Sequence, residues 1–282
     1  MKSRARNASV IAQNDILKFR RVVWAYYRKH GRHDLPWRED RDPYRILVSE
    51  VMLQQTQVDR VIPFYERFLK EFPAVDALAR APLSKVLKNW QGLGYNRRAK
   101  MLHQAAKGIV GEYKGRFPES VEAIMSLPGV GPYTARAVAA FSFNQDVPVI
   151  ETNIRTVIIQ HFFPKKKKVS DIEIEKVLTR VLPKGKSREW YSALMDYGSY
   201  LKRSGVSHNA RTQQYGKQSK FSGSLREVRG AILRLLANDS AAKTRIERLF
   251  DSSRREQIRE ALKVLGDEGL IRSVNRTYSL AD

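Results

Sequence analysis

Apolar side chains recur every three to four residues along almost the whole chain as far as residue 202, the spacing of one helix face. Ile16, Phe19, Val22, Val23 and Tyr26 predict a first amphipathic helix that ends near Gly31. Ile46, Leu47, Val51 and Leu53 predict a second, beginning after Pro43. The same period predicts helices over 61–72, 83–90, 99–113, 121–126, 133–141, 154–163, 172–182 and 189–201. Pro73, Pro82, Gly92-Leu93-Gly94, Pro118, Pro128 and Pro183-Lys184-Gly185 mark the joints. No glycine-rich phosphate loop of the P-loop or dinucleotide type interrupts the series. The expectation is a mainly α domain over residues 13–202.

Beyond it the pattern changes. No acidic residue occurs between Asp196 and Glu227, while Lys202, Arg203, Arg211, Lys217 and Lys220 do. Residues 203–221 are read as a basic linker or loop suited to lie along phosphate. Residues 222–282 then predict helices over 225–236, 241–250 and 254–265. Two short strands follow, at 269–274 and 278–280, around a turn at Asn275-Arg276. Three helices and such a hairpin resemble a winged helix-turn-helix domain, a fold that binds DNA in some proteins and a protein partner in others.

Charge narrows the partner. The 282 residues carry 52 Lys and Arg against 29 Asp and Glu, a net of +23, in a composition with the 42% hydrophobic residues of a globular protein. That excess points to a polyanionic partner, of which nucleic acid is the commonest, and double-stranded DNA is the partner expected once the family resemblance below is added. Residues 222–282 hold 12 basic and 9 acidic side chains, so the C-terminal segment contributes only +3 and the remainder +20. A membrane partner is not expected, for no long apolar span or lipidation motif occurs. Residues 1–12 are basic and polar, without the apolar stretch of a secretory signal. A monomeric intracellular protein is expected, cytoplasmic or nucleoid-associated in a prokaryote. Cys is absent, which excludes disulfides, thiolate metal sites and a Cys-ligated iron–sulfur cluster. His33, His103, His161 and His208 are dispersed, so no metal site is expected.

Three segments carry chemistry. In Leu127-Pro128-Gly129-Val130-Gly131-Pro132-Tyr133-Thr134 a two-glycine turn opens into a helix, so that backbone N–H groups and the positive helix end point outward together. This suits a sequence-independent clamp on a phosphate, through Gly129, Val130, Gly131 and Thr134; a plain turn with capping glycines is the alternative. In Ser49-Glu50-Val51-Met52-Leu53-Gln54-Gln55, Glu50 projects from a face it shares with Ile46, Leu47, Leu53 and Gln54. Desolvation on such a face keeps a carboxyl protonated, as a general acid requires. An ordinary helix would instead pair Glu50 with Arg45 or Arg60. In Val147–Arg155 an extended apolar run delivers Glu151 to a helix start, where the dipole favours negative charge. It is either such a helix charge or the second member of a carboxylate pair, a recurring solution for glycosidic cleavage through an oxocarbenium-like state. Trp37, between Pro36 and Arg38, is a candidate wall of a DNA path or a packing residue. Lys165, Lys166, Lys167 and Lys168 read as a solvated loop.

Leu35-Pro36-Trp37-Arg38, SEVMLQQTQV from Ser49, WQGLGYNRRAK from Trp90, Phe117-Pro118, LPGVGPYTA from Leu127 and the segment from Glu151 to Arg155 occur in that order. Over residues 15–201 they resemble the helix-hairpin-helix (HhH-GPD) DNA glycosylase superfamily, and within it the MutY-type adenine glycosylases. The resemblance implies the all-α two-subdomain glycosylase fold and a flipped-out base as substrate. It implies that Glu50 protonates the base, that the residue at 151 steadies the sugar cation, and that Tyr133 and Asn153 support it. Leu53, Gln54 and Gln55 would fill or probe the gap left by flipping. It also implies a monovalent cation at the hairpin; with Cys absent no iron–sulfur cluster is expected, nor any other cofactor.

The sequence departs from that pattern in three places. Glu stands at 151 where the family has Asp, one methylene longer or about 1.5 Å. The cysteines of the iron–sulfur cluster are absent, with the basic stretch 203–221 in their place. The C-terminal segment reads as a winged helix where the oxoguanine-recognition domain is expected. Tyr133 occupies the position at which the related endonuclease III branch has a Schiff-base Lys, and no Lys occurs between Glu119 and Ile150. The expectation is a monofunctional DNA N-glycosylase without strand-cleaving lyase activity, adenine favoured. A mismatch thymine or uracil glycosylase of the same superfamily is the first alternative. A catalytically silent DNA-binding protein on the same fold is the second.

Overall fold

A computed structural model describes residues 11–212 and 220–282, and these are mainly helical. The first eleven helices are α1 (Gln13–His30), α2 (Pro43–Leu53), α3 (Val58–Glu71), α4 (Val75–Arg80), α5 (Leu83–Trp90), α6 (Arg97–Glu112), α7 (Val121–Met125), α8 (Pro132–Phe143), α9 (Thr152–Phe162), α10 (Asp171–Val181) and α11 (Ser187–Arg203). Each predicted helix is present within a few residues of its expected bounds. One was missed. Six-residue α4 is too short to show a period, although it buries Leu78 and Ala79.

The described chain divides into two compact units, residues 11–46, 119–122 and 131–212 forming one and residues 47–118, 123–130 and 220–282 the other. The stretch 13–202 therefore contributes to both units, and the C-terminal segment belongs to the second.

In the first unit α11 packs on α9 and α1. The Phe19 ring meets Phe162 at 4.9 Å and Trp190 at 5.8 Å, both edge-on, which closes an aromatic core around fully buried Trp190. Asp196 on α11, only 2% exposed, is not left as an unpaired buried charge. It accepts from the backbone N–H of Arg32 at 2.9 Å, from Arg32 Nε at 2.8 Å and from Arg38 at 3.1 Å, which ties the 32–38 loop to α11. Arg20 donates to the carbonyls of Val181 and Leu182, satisfying the end of α10. Ser170 and Glu173 form a reciprocal capping box at its start.

Of the basic linker, Arg211 does not offer its charge freely to a phosphate. Its guanidinium is held by the carbonyls of Phe163 and Lys166, and its own carbonyl accepts from Val169 at 3.1 Å. Lys217 and the rest of 213–219 lie outside the described residues, as does most of the 1–12 segment.

In the second unit α4 and α5 pack on α6, around Phe68 and fully buried Trp90. Its C-terminal part runs α12 (Leu225–Asn238), β1 (Ala241–Ala242), α13 (Lys243–Glu247), α14 (Arg255–Asp267), β2 (Ile271–Val274) and β3 (Thr277–Leu280). The antiparallel sheet has the order β1-β3-β2, with Ile271 opposite Leu280 and Ala241 opposite Tyr278. Asn275 and Arg276 take φ of 49° and 60°, the left-handed pair that a tight two-residue hairpin turn needs. The two-residue β1 carried no sequence signal and was missed. This C-terminal module is fixed to the rest of its unit: Lys100 Nζ donates to the Glu268 carbonyl at 2.6 Å and Arg226 to the Tyr95 hydroxyl at 2.8 Å. Among the described residues no helix is long and apolar enough to cross a membrane.

Candidate active site and DNA interface

Helix α2 carries Glu50 in its third turn, between buried Val48, Ser49, Val51 and Met52. Glu50 is itself 6% exposed, as expected of an acid on an apolar face. Of the two arginines that an ordinary helix would offer it, Arg45 pairs with Asp40 at 3.1 Å, and the Arg60 guanidinium donates to the Gly92 carbonyl.

The carbonyl end of α2 is held by a residue that sequence reading did not single out. Arg98, in the first turn of α6, donates to the carbonyls of Val51 (2.7 Å), Met52 (3.0 Å) and Gln54 (2.6 Å). Its other nitrogen reaches Gly94 O at 3.1 Å and Thr56 Oγ1 at 3.3 Å. One guanidinium fork thus satisfies orphaned helix-end carbonyls and faces the negative end of the helix dipole. Burial pulls Arg98 down to about 10, opposed by Tyr95, so it is charged at neutral pH. Immediately after, Gln55 turns into the left-handed region at φ 55°. The only sequence clue was two arginines following WQGLGYN.

In the other unit Glu151 is the N-cap of α9. Its Oε1 accepts from the Ile154 backbone N–H at 2.7 Å. Its Oε2 accepts from Asn153 Nδ2 and Thr152 Oγ1, each at 3.2 Å. The expected support of Glu151 by Asn153 is therefore a direct contact. Helix α11 approaches the start of α9 closely, and Gly at 198 permits it: a Cβ there would lie 2.4 Å from the Asn153 carbonyl oxygen. Half-buried Lys202, at the end of α11, lies within the field of Glu151. Burial lowers its ammonium below the usual lysine range and Glu151 works the other way. Gly198 carries no signal in the sequence, and Lys202 stands out there only as one of the basic residues between Asp196 and Glu227. Tyr133 is half-buried in the first turn of α8.

Gly129, at φ 75°, turns the chain after α7, and the Val130 N–H bonds back to the Leu127 carbonyl at 3.1 Å. A side chain at 129 would run into Met101, 2.3 Å away. Gly131 precedes Pro132, the first residue of α8. Gly129 and Gly131 are exposed, whereas the side chains of Val130 and Thr134 are buried and the Val130 N–H is already engaged by Leu127. Trp37 is 7% exposed, and the structure favours its packing role over a wall of a DNA path. Gln54, Gln55, Gly129 and Val130 come together around one cavity of the second unit, with half-buried Leu53 outside its lining. Glu50 belongs to that unit, whereas Tyr133, Glu151 and Asn153 belong to the first.

The model of the HhH-GPD superfamily base excision DNA repair proteins matches residues 48–184. An adenine DNA glycosylase of Mycolicibacterium smegmatis is 35% identical over 259 residues, covering 84% of this chain and 88% of that protein. This chain belongs to the HhH-GPD superfamily.

An adenine DNA glycosylase of Buchnera aphidicola subsp. Baizongia pistaciae is 36% identical over 189 residues, and the chain spans only 53% of its length. Among solved structures, a thermostable thymine-DNA glycosylase matches with a TM-score of 0.58 and 28% identity, covering 66% of this chain and 87% of that one. The HhH-GPD match encloses Glu50, Gln54, Gln55, Gly129, Tyr133, Glu151 and Asn153, and with them Arg98. It leaves out Trp37, Gly198, Lys202 and the whole C-terminal module.

Proposed function

We propose that this HhH-GPD protein is a monofunctional adenine DNA glycosylase, hydrolysing the bond between a flipped-out adenine and its deoxyribose. Glu50 gives its proton to a ring nitrogen of the base. The C1′–N bond then breaks with its electron pair going to the base, and positive charge develops on the sugar. Glu151, its position fixed by three donors, faces that charge. Water adds to C1′ and releases a proton, leaving an abasic site and an unbroken strand. The observation that carries this reading is the double hold on the Glu151 carboxylate by Ile154 N–H and Asn153: one oxygen serves the helix and the other the asparagine. Glu in place of Asp therefore keeps a defined position at the start of α9. Adenine is the base named in the relatives matched over most of both chains.

Gln54 and Gln55 fill the space the base vacates, and the exposed turn at Gly129 and Gly131 holds backbone phosphate. A monovalent cation at that turn would be held by main-chain carbonyl oxygens, which are hard ligands suited to such an ion. Such an ion would supply charge beside the phosphate, and no bond-breaking step runs through it.

Removal of thymine from a mismatch is the second reading, favoured by the 28% identity to the thymine-DNA glycosylase. Single-turnover excision across duplexes containing A·8-oxoguanine, A·G, T·G, U·G and hypoxanthine pairs separates the two. The expected outcome is adenine release with strand breaks only after alkali. Thymine release with adenine untouched would transfer the assignment to the second reading, and no release from any duplex would leave a silent DNA-binding protein.

A further inference from the structure

The C-terminal module has an unexpected face. In a winged helix-turn-helix the third helix ordinarily enters DNA, and here that helix is α14. Its exposed charged residues are Arg255, Glu256, Arg259, Glu260, Lys263 and Asp267, three of each sign, with Arg259 paired to Glu256 at 3.0 Å. A surface so balanced gains little from a polyanion.

Helix α12 is different. Val228, Ile232, Leu233 and Leu236 form its buried stripe. Arg226, Arg229, Gly230 and Arg234, at helical spacing, form another, which lines the same cavity of about 860 Å³ as Gln54, Gln55 and the Gly129 turn. That volume is ample for a nucleotide-sized group. Arg60, Arg97 and Arg98 also line it; its one acidic lining residue, Glu268, is paired with Arg229. Arg226 is braced on the Tyr95 hydroxyl, and the Arg98 and Arg60 guanidinia serve carbonyls. Among the described residues Arg97 and Arg234 are exposed and carry no such engagement. A Cβ at Gly230 would touch nothing within 4 Å, so protein packing does not require this mid-helix glycine, which costs roughly 1 kcal/mol against Ala. The two loops that face α12 across the cavity hold Gln55 at φ 55° and Tyr95 at φ 50°, non-glycine strain of the kind concentrated at binding sites.

We propose that the C-terminal module meets DNA through α12, not α14, and that Arg97 and Arg234 take backbone phosphates of the duplex held by the Gln54-Gln55 loop and the Gly129 turn. The module is then a built-in extension of the glycosylase's DNA track, not a second, independent reader. This rests on DNA being the partner, as the functional reading requires, and not on which base is excised.

The test uses the intact chain and a fluorescent duplex carrying no excisable mispair, with affinity measured across a salt series. Arg97→Ala with Arg234→Ala should lower the slope of log affinity against log salt by about two and weaken binding roughly tenfold near 0.1 M salt. Arg255→Ala with Arg259→Ala and Lys263→Ala should change neither. All five side chains are exposed, and an unchanged melting temperature verifies the fold. A slope change in the α14 variant, or none in the Arg97/Arg234 variant, overturns the proposal. Excision measured in parallel keeps the two readings apart. Binding that follows this pattern without removal of any base would defeat the glycosylase reading alone. Adenine release with an unaltered salt slope in the Arg97/Arg234 variant would defeat this one alone.

Discussion

Glu151 Oε1 accepts the Ile154 backbone N–H at 2.7 Å, so the carboxylate that caps α9 is the same one proposed to face the sugar cation. The two duties separate by substitution. Glu151→Gln retains an oxygen for the Ile154 N–H and should keep its melting temperature, yet it loses the charge and most of the excision rate. Glu151→Ala should lose the rate and also about 1 kcal/mol of stability, the usual value of an N-cap. Glu151→Asp should fold at least as well, because Asp is a stronger cap, and remain active. Single-turnover rates beside thermal melts check all three, and wild-type excision by Glu151→Gln would remove the carboxylate from the mechanism.

Arg98 is expected to act on Glu50 through the backbone. It contacts neither the base nor the sugar in the proposed reaction, but it holds the carbonyls at the end of the helix that carries Glu50. Arg98→Lys keeps a positive charge and loses the fork, and one ammonium cannot replace five directed donors. Losing charged hydrogen bonds of this kind costs about 1.5–3 kcal/mol each. A lower melting temperature and slower excision are therefore expected in Arg98→Lys, with Arg98→Ala worse in both. Wild-type values for Arg98→Lys in both measurements would show that the fork is dispensable.

The difference between Glu50 and Arg98 shows what the chain discloses as a sequence. Glu50 sits inside a local motif, and its burial follows from apolar neighbours one turn away. Arg98 finds its partners 44 to 47 residues back, and they are main-chain carbonyls, which no residue pattern records. Gly198 escaped notice for the same reason, since its value lies in the approach of α11 to Asn153. The long helices were legible from their period; α4 and β1 were not, having too few residues to display one. Trp37 is the reverse case: a conspicuous aromatic in a basic chain, it suggests from sequence either a wall of a DNA path or packing, and only its burial in the fold weighs toward packing.

Stability should depend on pH through His103, which is 2% exposed on α6. Burial, and then Lys107, pushes its imidazole below the ordinary histidine range. In the unfolded chain it titrates near about 6.5. As pH falls through that value the unfolded state takes up the proton first, and folding stability declines; above it both states are neutral at this site. The melting temperature should therefore be lower at pH 5.5 than at pH 7.5, and His103→Asn should flatten part of that slope whatever its effect on stability overall. An identical slope in the variant would assign the dependence to other groups.

Glu50→Gln puts the central claim to its most direct test. The amide preserves the shape of the buried side chain but has no proton to give to a leaving base, and loss of a general acid costs about 10²–10⁴-fold. The decisive measurement is single-turnover release of adenine from an A·8-oxoguanine duplex by the intact chain and by Glu50→Gln, with duplex affinity measured alongside. The expected result is an alkali-labile abasic site formed by the wild type, little or none by the variant, and equal affinities. Adenine release at the wild-type rate by Glu50→Gln, or strand cleavage by the wild type without alkali, would contradict it.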